Sequence, residues 1–201
     1  MIKKTFHQLD PQKKATILKS SHEVFAEQGF DATTIRDIVR LSGISRGSFY
    51  QYFDDLGDVF EACVQDMAEK KMAYIQPWMD KMGKTPFIDL YEDMMVSGIE
   101  FAYAFKEEAL SIARVLKSNH PRIQAIYHAM KAEGLRIFTE LIDADKKSGF
   151  MSPYVNTEIL AKSLYGFNEH EIMVWFEEGM DRSKLLEFSK HYIDIIKNGI
   201  L

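Results

Sequence analysis

The chain has 201 residues, 46% hydrophobic and 27% charged, with 25 Lys and Arg against 30 Asp and Glu for a formal charge of −5. That length and balance suit a folded core and exclude an intrinsically disordered chain. A single cysteine, Cys63, excludes an intrachain disulfide framework, and no run reaches the ~18 to 20 apolar residues of a membrane span.

Helical periodicity runs through nearly the whole sequence. The first helix is expected from Pro11, with Asp10 as its N-cap, Ile17, Leu18, Ser21, Val24 and Phe25 on one face, and Gly29 as its stop. A short second helix follows, opened by Thr33 or Thr34 with Asp37 completing a capping box, apolar at Ile35, Ile38 and Val39, and ending at Arg40. Gly43 offers a left-handed turn, after which Ser45 caps a third short helix anchored by Phe49 and Phe53. Beyond Gly57 the helices lengthen. A stripe from Val59, Phe60 and Cys63 continues to Trp78 and is expected to close at Pro77 and MGKTP. Further helices are expected from Leu90 to Phe105, Ala109 to Leu116, Pro121 to Lys147, about Asn156 to Glu177, and Ser183 to Lys197. No strand-like alternation or internal repeat occurs, so the class is all-α.

Charge is unevenly spread. Residues 1–53 carry eight Lys and Arg against five Asp and Glu, whereas the remainder carries 17 against 25. A basic head on an acidic body is masked by the negative total.

The segment SGISRGSFYQYF, residues 42–53, follows a short helix and a glycine turn, which is the helix-turn-helix arrangement. The second helix of such a pair enters the major groove of double-stranded DNA. Ile44, Phe49 and Phe53 would anchor it on Ile38, Val39 and Phe25, leaving Ser45, Arg46, Gly47, Ser48, Tyr50, Gln51 and Tyr52 on the opposite face. Arg46 can bond guanine, Gln51 adenine or phosphate, and Gly47 allows close backbone approach. The hydroxyls of Ser45, Ser48, Tyr50 and Tyr52 suit phosphate oxygens, and Thr34 and Arg36 can clamp the flanking backbone.

AEQGFDATTIRDIVRLSGISRGSFYQYF resembles the amino-terminal signature of the TetR family of bacterial transcriptional regulators. The resemblance rests on FAEQGF, the Thr-Thr helix opening, the Gly-Ile-Ser turn and the aromatic close FYQYF, and it covers roughly residues 12–60. It implies a DNA-binding domain over 1–56 and a larger helical ligand-binding and dimerisation domain over 57–201. Thr34, Ser45, Arg46, Gly47, Ser48, Tyr50, Gln51 and Tyr52 fall on the family's base-facing and phosphate-facing positions. One departure is Leu56, where family members often carry a phosphate-touching lysine, and the surrounding DDLGD would repel phosphate. More of the grip would then rest on Arg46, Tyr50 and Tyr52, helped by Lys3, Lys4 or Lys14.

The resemblance further implies a homodimer on an inverted-repeat operator, formed by helices about 156–177 and 183–197 through Leu160, Leu164, Phe167, Val174, Leu185, Phe188, Tyr192 and Ile196. The same positions also suit the protomer's own core. A pocket for a hydrophobic or aromatic effector is implied among Trp78, Met94, Met95, Phe101, Tyr103, Phe105, Tyr127, His128, Met130, Phe138, Tyr165 and Trp175. A buried His128, with Tyr127 or Tyr165, would supply its polar handle.

Enzyme readings find little support. HEIMVW begins like a zinc-protease helix but has Val174 where the second histidine is required. No phosphate-binding glycine loop or nucleophile elbow is present, and Cys63 lies on an apolar stripe. No cofactor, resident metal or membrane partner is expected. MIKKTFHQLDPQKK lacks the apolar stretch of a secretory leader, which fits a cytoplasmic protein. The expected function is an operator-binding repressor released by a small hydrophobic ligand. The alternative is a protein of the same fold with a weakened DNA head, acting as a small-molecule binder or a ligand-dependent activator.

Overall fold

Capping chemistry sets the ends of the early helices. In the computed structural model, which describes residues 2–179 and 181–198, the Asp10 carboxylate accepts from the N–H of Gln12 at 3.0 Å and of Lys13 at 3.3 Å. Ten helices occur among the described residues: α1 (Lys4–His7), α2 (Pro11–Gln28), α3 (Ile35–Ser42), α4 (Arg46–Tyr52), α5 (Leu56–Met79), α6 (Phe87–Ala104), α7 (Lys106–Val115), α8 (Pro121–Ser148), α9 (Thr157–Glu177) and α10 (Arg182–Asn198). The expected capping box is present, with Thr34 accepting from Asp37 N–H at 3.3 Å and Asp37 accepting from Thr34 N–H at 3.1 Å. Gly43 takes φ 70°, the left-handed value that a side chain would strain.

The residues pack as two compact units. The first holds residues 1–70 and 105–128. Its core joins Ile17 and Phe25 of α2, Ile38 of α3, Phe49 of α4 with Phe53 at its end, Val59, Phe60 and Cys63 of α5, and Val115 of α7. Phe25 and Phe60 meet edge to face at 5.9 Å and 88°, the geometry favoured by the aromatic quadrupole. α7 lies along α2. There the Arg114 guanidinium donates to the Ala26 carbonyl at 2.8 Å, and Ser118 donates to Asp31 at 2.8 Å. His22 Nδ1 and Ser111 Oγ, both buried, are 3.0 Å apart.

The second unit holds residues 71–104 and 129–201. Phe87, Leu90 and Tyr91 of α6 pack with Phe138, Leu141 and Ile142 of α8, Leu164 of α9 and Ile193 of α10. The Phe138 ring meets Phe87 and Tyr91 edge to face at 5.8 and 6.0 Å. Buried Asp145 accepts from the Phe87 N–H at 2.6 Å and so caps the start of α6 from a distant point in the chain. Desolvation pushes its carboxyl above the ordinary aspartate value.

Several helix limits, and one short helix, differ from the sequence expectation. Pro77 does not close α5 but sits inside its last turn, where the Asp80 N–H still reaches the Gln76 carbonyl at 3.0 Å. A proline here gives up its own bond to the Ala73 carbonyl and its ring crowds that carbonyl, but the N–H groups that follow can still continue the helix for a turn. Phe105 does not end α6; it adopts φ −123° and ψ 47° and opens α7. The four-residue α1 carries Phe6 into the core at 1% exposure, and no periodicity can announce so short an element.

Candidate functional site

The turn and α4 present a short polar face on an aromatic base. Ser45 caps α4 by accepting from Ser48 N–H at 3.0 Å, and the two hydroxyls lie 2.9 Å apart. Phe49 and Phe53 are fully buried beneath the helix, 5.5 Å apart. Above them Ser45, Arg46, Gly47, Tyr50 and Gln51 are exposed and Ser48 is half-buried. The Arg46 guanidinium lies 5.9 Å from the Tyr50 ring centre, so the aromatic face leans on the cation without burying it. At the start of α3, Arg36 is exposed, while Thr34 is engaged in its cap, donating to Asp37 at 2.5 Å.

Tyr52 departs from the expected outward face. It is 6% exposed, with the Phe6 ring 6.3 Å away and the Lys13 ammonium 5.6 Å from its own ring centre. The cause is α1: Phe6 also packs on Phe53 at 4.7 Å and covers this side of α4.

The segment before α2 also ties down the end of α4. Lys3 donates from its backbone to the Tyr52 carbonyl at 3.0 Å and from its ammonium to the Tyr50 carbonyl at 2.7 Å. Thr5 donates to the Gln51 carbonyl. These are carbonyls that a helix end otherwise leaves without partners, and a cation there complements the helix dipole. Lys3 also pairs with Asp54 at 2.7 Å, and this hydrogen bond is the main reason the Asp54 carboxyl lies below the usual aspartate range.

In DDLGD, Asp58 turns inward, whereas Asp54 and Asp55 stay exposed but paired. Arg122, at the start of α8, grips both Asp55 oxygens at 2.9 and 3.0 Å, bonds Asp58, and reaches Glu61 at 3.3 Å. Asp58 is fully buried and also accepts from Asp54 N–H at 2.7 Å. Gly57 leaves room for this arginine: a Cβ at Gly57 would collide with the Arg122 side chain. Leu56 packs against the core. The acids that looked repulsive to phosphate are thus held by Lys3 and Arg122.

The second unit contains a mostly apolar cavity of about 180 Å³. Of the expected pocket residues, Trp78, Met94, Met95, Phe138, Tyr165 and Trp175 line it. Phe101, Phe105, Tyr127 and His128 do not. Phe101 packs on Tyr74 at 5.3 Å, and Phe105 lies beside Lys70 at 5.2 Å in the first unit. His128 is exposed rather than buried, with Tyr127 5.4 Å away, because this opening stretch of α8 belongs to the first unit. Tyr103 and Met130 are outside the lining too; Tyr103 lies 5.4 Å from Trp175.

Lys71, Tyr74, Gly134 and Asn168 line the cavity without having been expected. Their signal was spacing: Lys71 and Trp78, like Asn168 and Trp175, are seven residues apart and share a helix face. A second, more open depression between α9 and α10 is rimmed by Glu171, Glu178, Glu187 and Lys184. The less open, more apolar cavity suits a small molecule better. On α9 and α10, Leu164 and Leu185 are buried within the protomer, whereas Ile159, Phe188 and Ile195 are exposed at 65%, 49% and 52%.

The profile of bacterial regulatory proteins, tetR family, matches residues 17–63. The chain is 40% identical over 196 residues to YerO of Bacillus subtilis (strain 168), an HTH-type transcriptional regulator, covering 94% of this chain and 66% of YerO. A TetR-family transcriptional regulator from Syntrophomonas wolfei has the same fold, with a TM-score of 0.82 and 20% identity over 94% of this chain and 97% of that one. FadR of Bacillus subtilis, solved in complex with stearoyl-CoA, gives a TM-score of 0.78 with 14% identity over 93% of this chain and 99% of its own. These two structural likenesses carry the fold alone.

Proposed function

The chain belongs to the TetR family of bacterial regulatory proteins, and from that premise we propose that this DNA-binding transcriptional regulator is a repressor acting on an inverted-repeat operator. Residues 1–56 would read DNA, and residues 57–201 would bind an effector and dimerise, all within the cytoplasm.

The observation that carries the reading is the exposed face of α4. Arg46 and Gln51 stand on a short, well-capped helix whose opposite side is locked by Phe49 and Phe53. Such a helix can enter a major groove with its amino-terminal residues at the base edges. Arg46 suits guanine, Gln51 suits adenine or phosphate, and Thr34, Arg36, Ser45, Ser48 and Tyr50 surround them as backbone contacts. Pairing of the DDLGD acids with Lys3 and Arg122 favours a working head over a weakened one.

One such head buries too little surface for a tight operator complex, so a two-fold dimer is required. Exposed Ile159, Phe188 and Ile195 on α9 and α10 supply apolar surface for it. Release requires an effector that binds the DNA-incompetent conformation better than the competent one. The apolar cavity of the second unit is the place for it. FadR holds stearoyl-CoA, but a cavity of about 180 Å³ favours a smaller hydrophobic or aromatic molecule.

Selection of bound sequences from a random DNA pool, at one stated salt concentration, tests the reading. An inverted repeat is expected to emerge. No enrichment even at low salt would count against a sequence-specific head.

A further inference from the structure

The cavity of the second unit has a chemical character beyond its apolar walls. Its lining includes one cationic side chain, Lys71, together with Asn168 and Trp175. The Asn168 carbonyl oxygen and the Trp175 indole N–H are buried and find no hydrogen-bond partner among the described residues. Unpaired buried polar atoms are costly, and native proteins keep few of them. Two in the lining of one cavity point to a ligand that satisfies both.

The three groups define that ligand. Trp175 can only donate, the Asn168 oxygen can only accept, and Lys71 calls for an anion. Asn168 and Trp175 stand seven residues apart on α9, about 10 Å along the helix axis. The ligand's donor to Asn168 and its acceptor for Trp175 therefore sit at opposite ends. A dry cavity of ~150 Å³ holds a benzene ring, so about 180 Å³ leaves room for one ring and small substituents. It leaves no room for a long acyl chain. Trp78, Phe138 and Tyr165 provide aromatic walls for such a ring.

We propose that this cavity takes a single-ring aromatic acid of the 4-hydroxybenzoate type. Its carboxylate pairs with Lys71 and accepts from the Trp175 indole, and its distal hydroxyl donates to Asn168. The assignment rests on the effector reading above and names the chemistry of that same site. Lys71 lines the cavity while its side chain is exposed, and the protein packed around it lowers its pKa from the ordinary lysine value by desolvation. That combination suits an ammonium at the mouth of a cavity, where an arriving carboxylate pairs with it.

The test is titration of the full chain with 4-hydroxybenzoate, its neutral counterpart 4-methylphenol, and decanoate, by calorimetry and by intrinsic fluorescence. Both tryptophans of the chain line the cavity, so their emission reports occupancy directly. The acid is expected to bind one per chain. Lys71→Met should weaken it by about tenfold or more, Lys71→Arg by much less, and binding of 4-methylphenol should stay unchanged. Equal affinity for acid and phenol, indifference to Lys71→Met, or preference for decanoate would overturn the assignment while leaving an effector site in place. Binding of none of the three would also overturn it. The effector reading falls only if, in addition, no compound of a broad library dissociates the operator complex.

Discussion

The Lys3 ammonium donates to the carbonyl of Tyr50 at 2.7 Å, joining the amino-terminal segment to the exit of the helix that carries Arg46. Lys3 therefore acts as a cap on α4 rather than as a reserve cation for phosphate. Lys3→Ala is expected to destabilise the end of α4 by about 0.5 to 1 kcal/mol, seen as faster amide exchange in α4 and weaker operator binding. The salt dependence of binding should not change. A slope lower by about one unit would instead mark a lost phosphate contact.

Arg46 and Tyr52 should separate cleanly. Arg46→Ala should relax base preference at one position of each half-site by about 1 to 3 kcal/mol, with the thermal midpoint unchanged. Tyr52 is in the core, so Tyr52→Phe should leave operator affinity within about twofold, whereas Tyr52→Ala should lower stability by on the order of 3 kcal/mol. Selection from a DNA pool and thermal denaturation would read both. Lost affinity in a stably folded Tyr52→Phe variant would return the hydroxyl to the interface.

The helices of this head were nearly all legible. Asp10, Thr34, Asp37, Gly43 and Ser45 are local signals, and each acts within four residues of its own position. Misassignments arose where a distant partner decides. Tyr52 reads as polar until Phe6 covers it, and Asp58 reads as a repulsive acid until Arg122, 64 residues later, reaches it. Likewise Tyr127 and His128 differ from Phe138 only in which unit their stretch of α8 packs into. Nothing within a window of their neighbours records that choice.

His22 should make the first unit acid-sensitive. Burial lowers its pKa from 6.5 to about 4, against a smaller opposing pull from Glu108. Between those values the unfolded chain binds a proton that the folded chain refuses, so stability falls as pH drops from about 6.5 towards 4 and is fully present above that window. The loss should approach ~3 kcal/mol at its acid end. Denaturant titrations across this range should show the slope, and His22→Gln should flatten it. A slope that persists in His22→Gln would assign it to other groups.

Phe188 and Leu164 offer a matched pair on α10 and α9. Phe188 is about half exposed, stacked on Phe167 at 5.6 Å, so Phe188→Asp should yield folded monomers in sedimentation and abolish specific DNA binding. Leu164 is fully buried, so Leu164→Asp should cost on the order of 4 kcal/mol or more and unfold the second unit. A Phe188→Asp dimer would place the interface on another face.

Gly57 and Arg122 are held to one another by shape as well as by charge. No side chain fits at 57 while the guanidinium stem lies across it, and no shorter residue at 122 can answer buried Asp58. In a library of random variants the two sites should behave as one locus. Gly57→Ala should push the Arg122 side chain aside and loosen its hold on Asp58, so a change at either site is felt through the other.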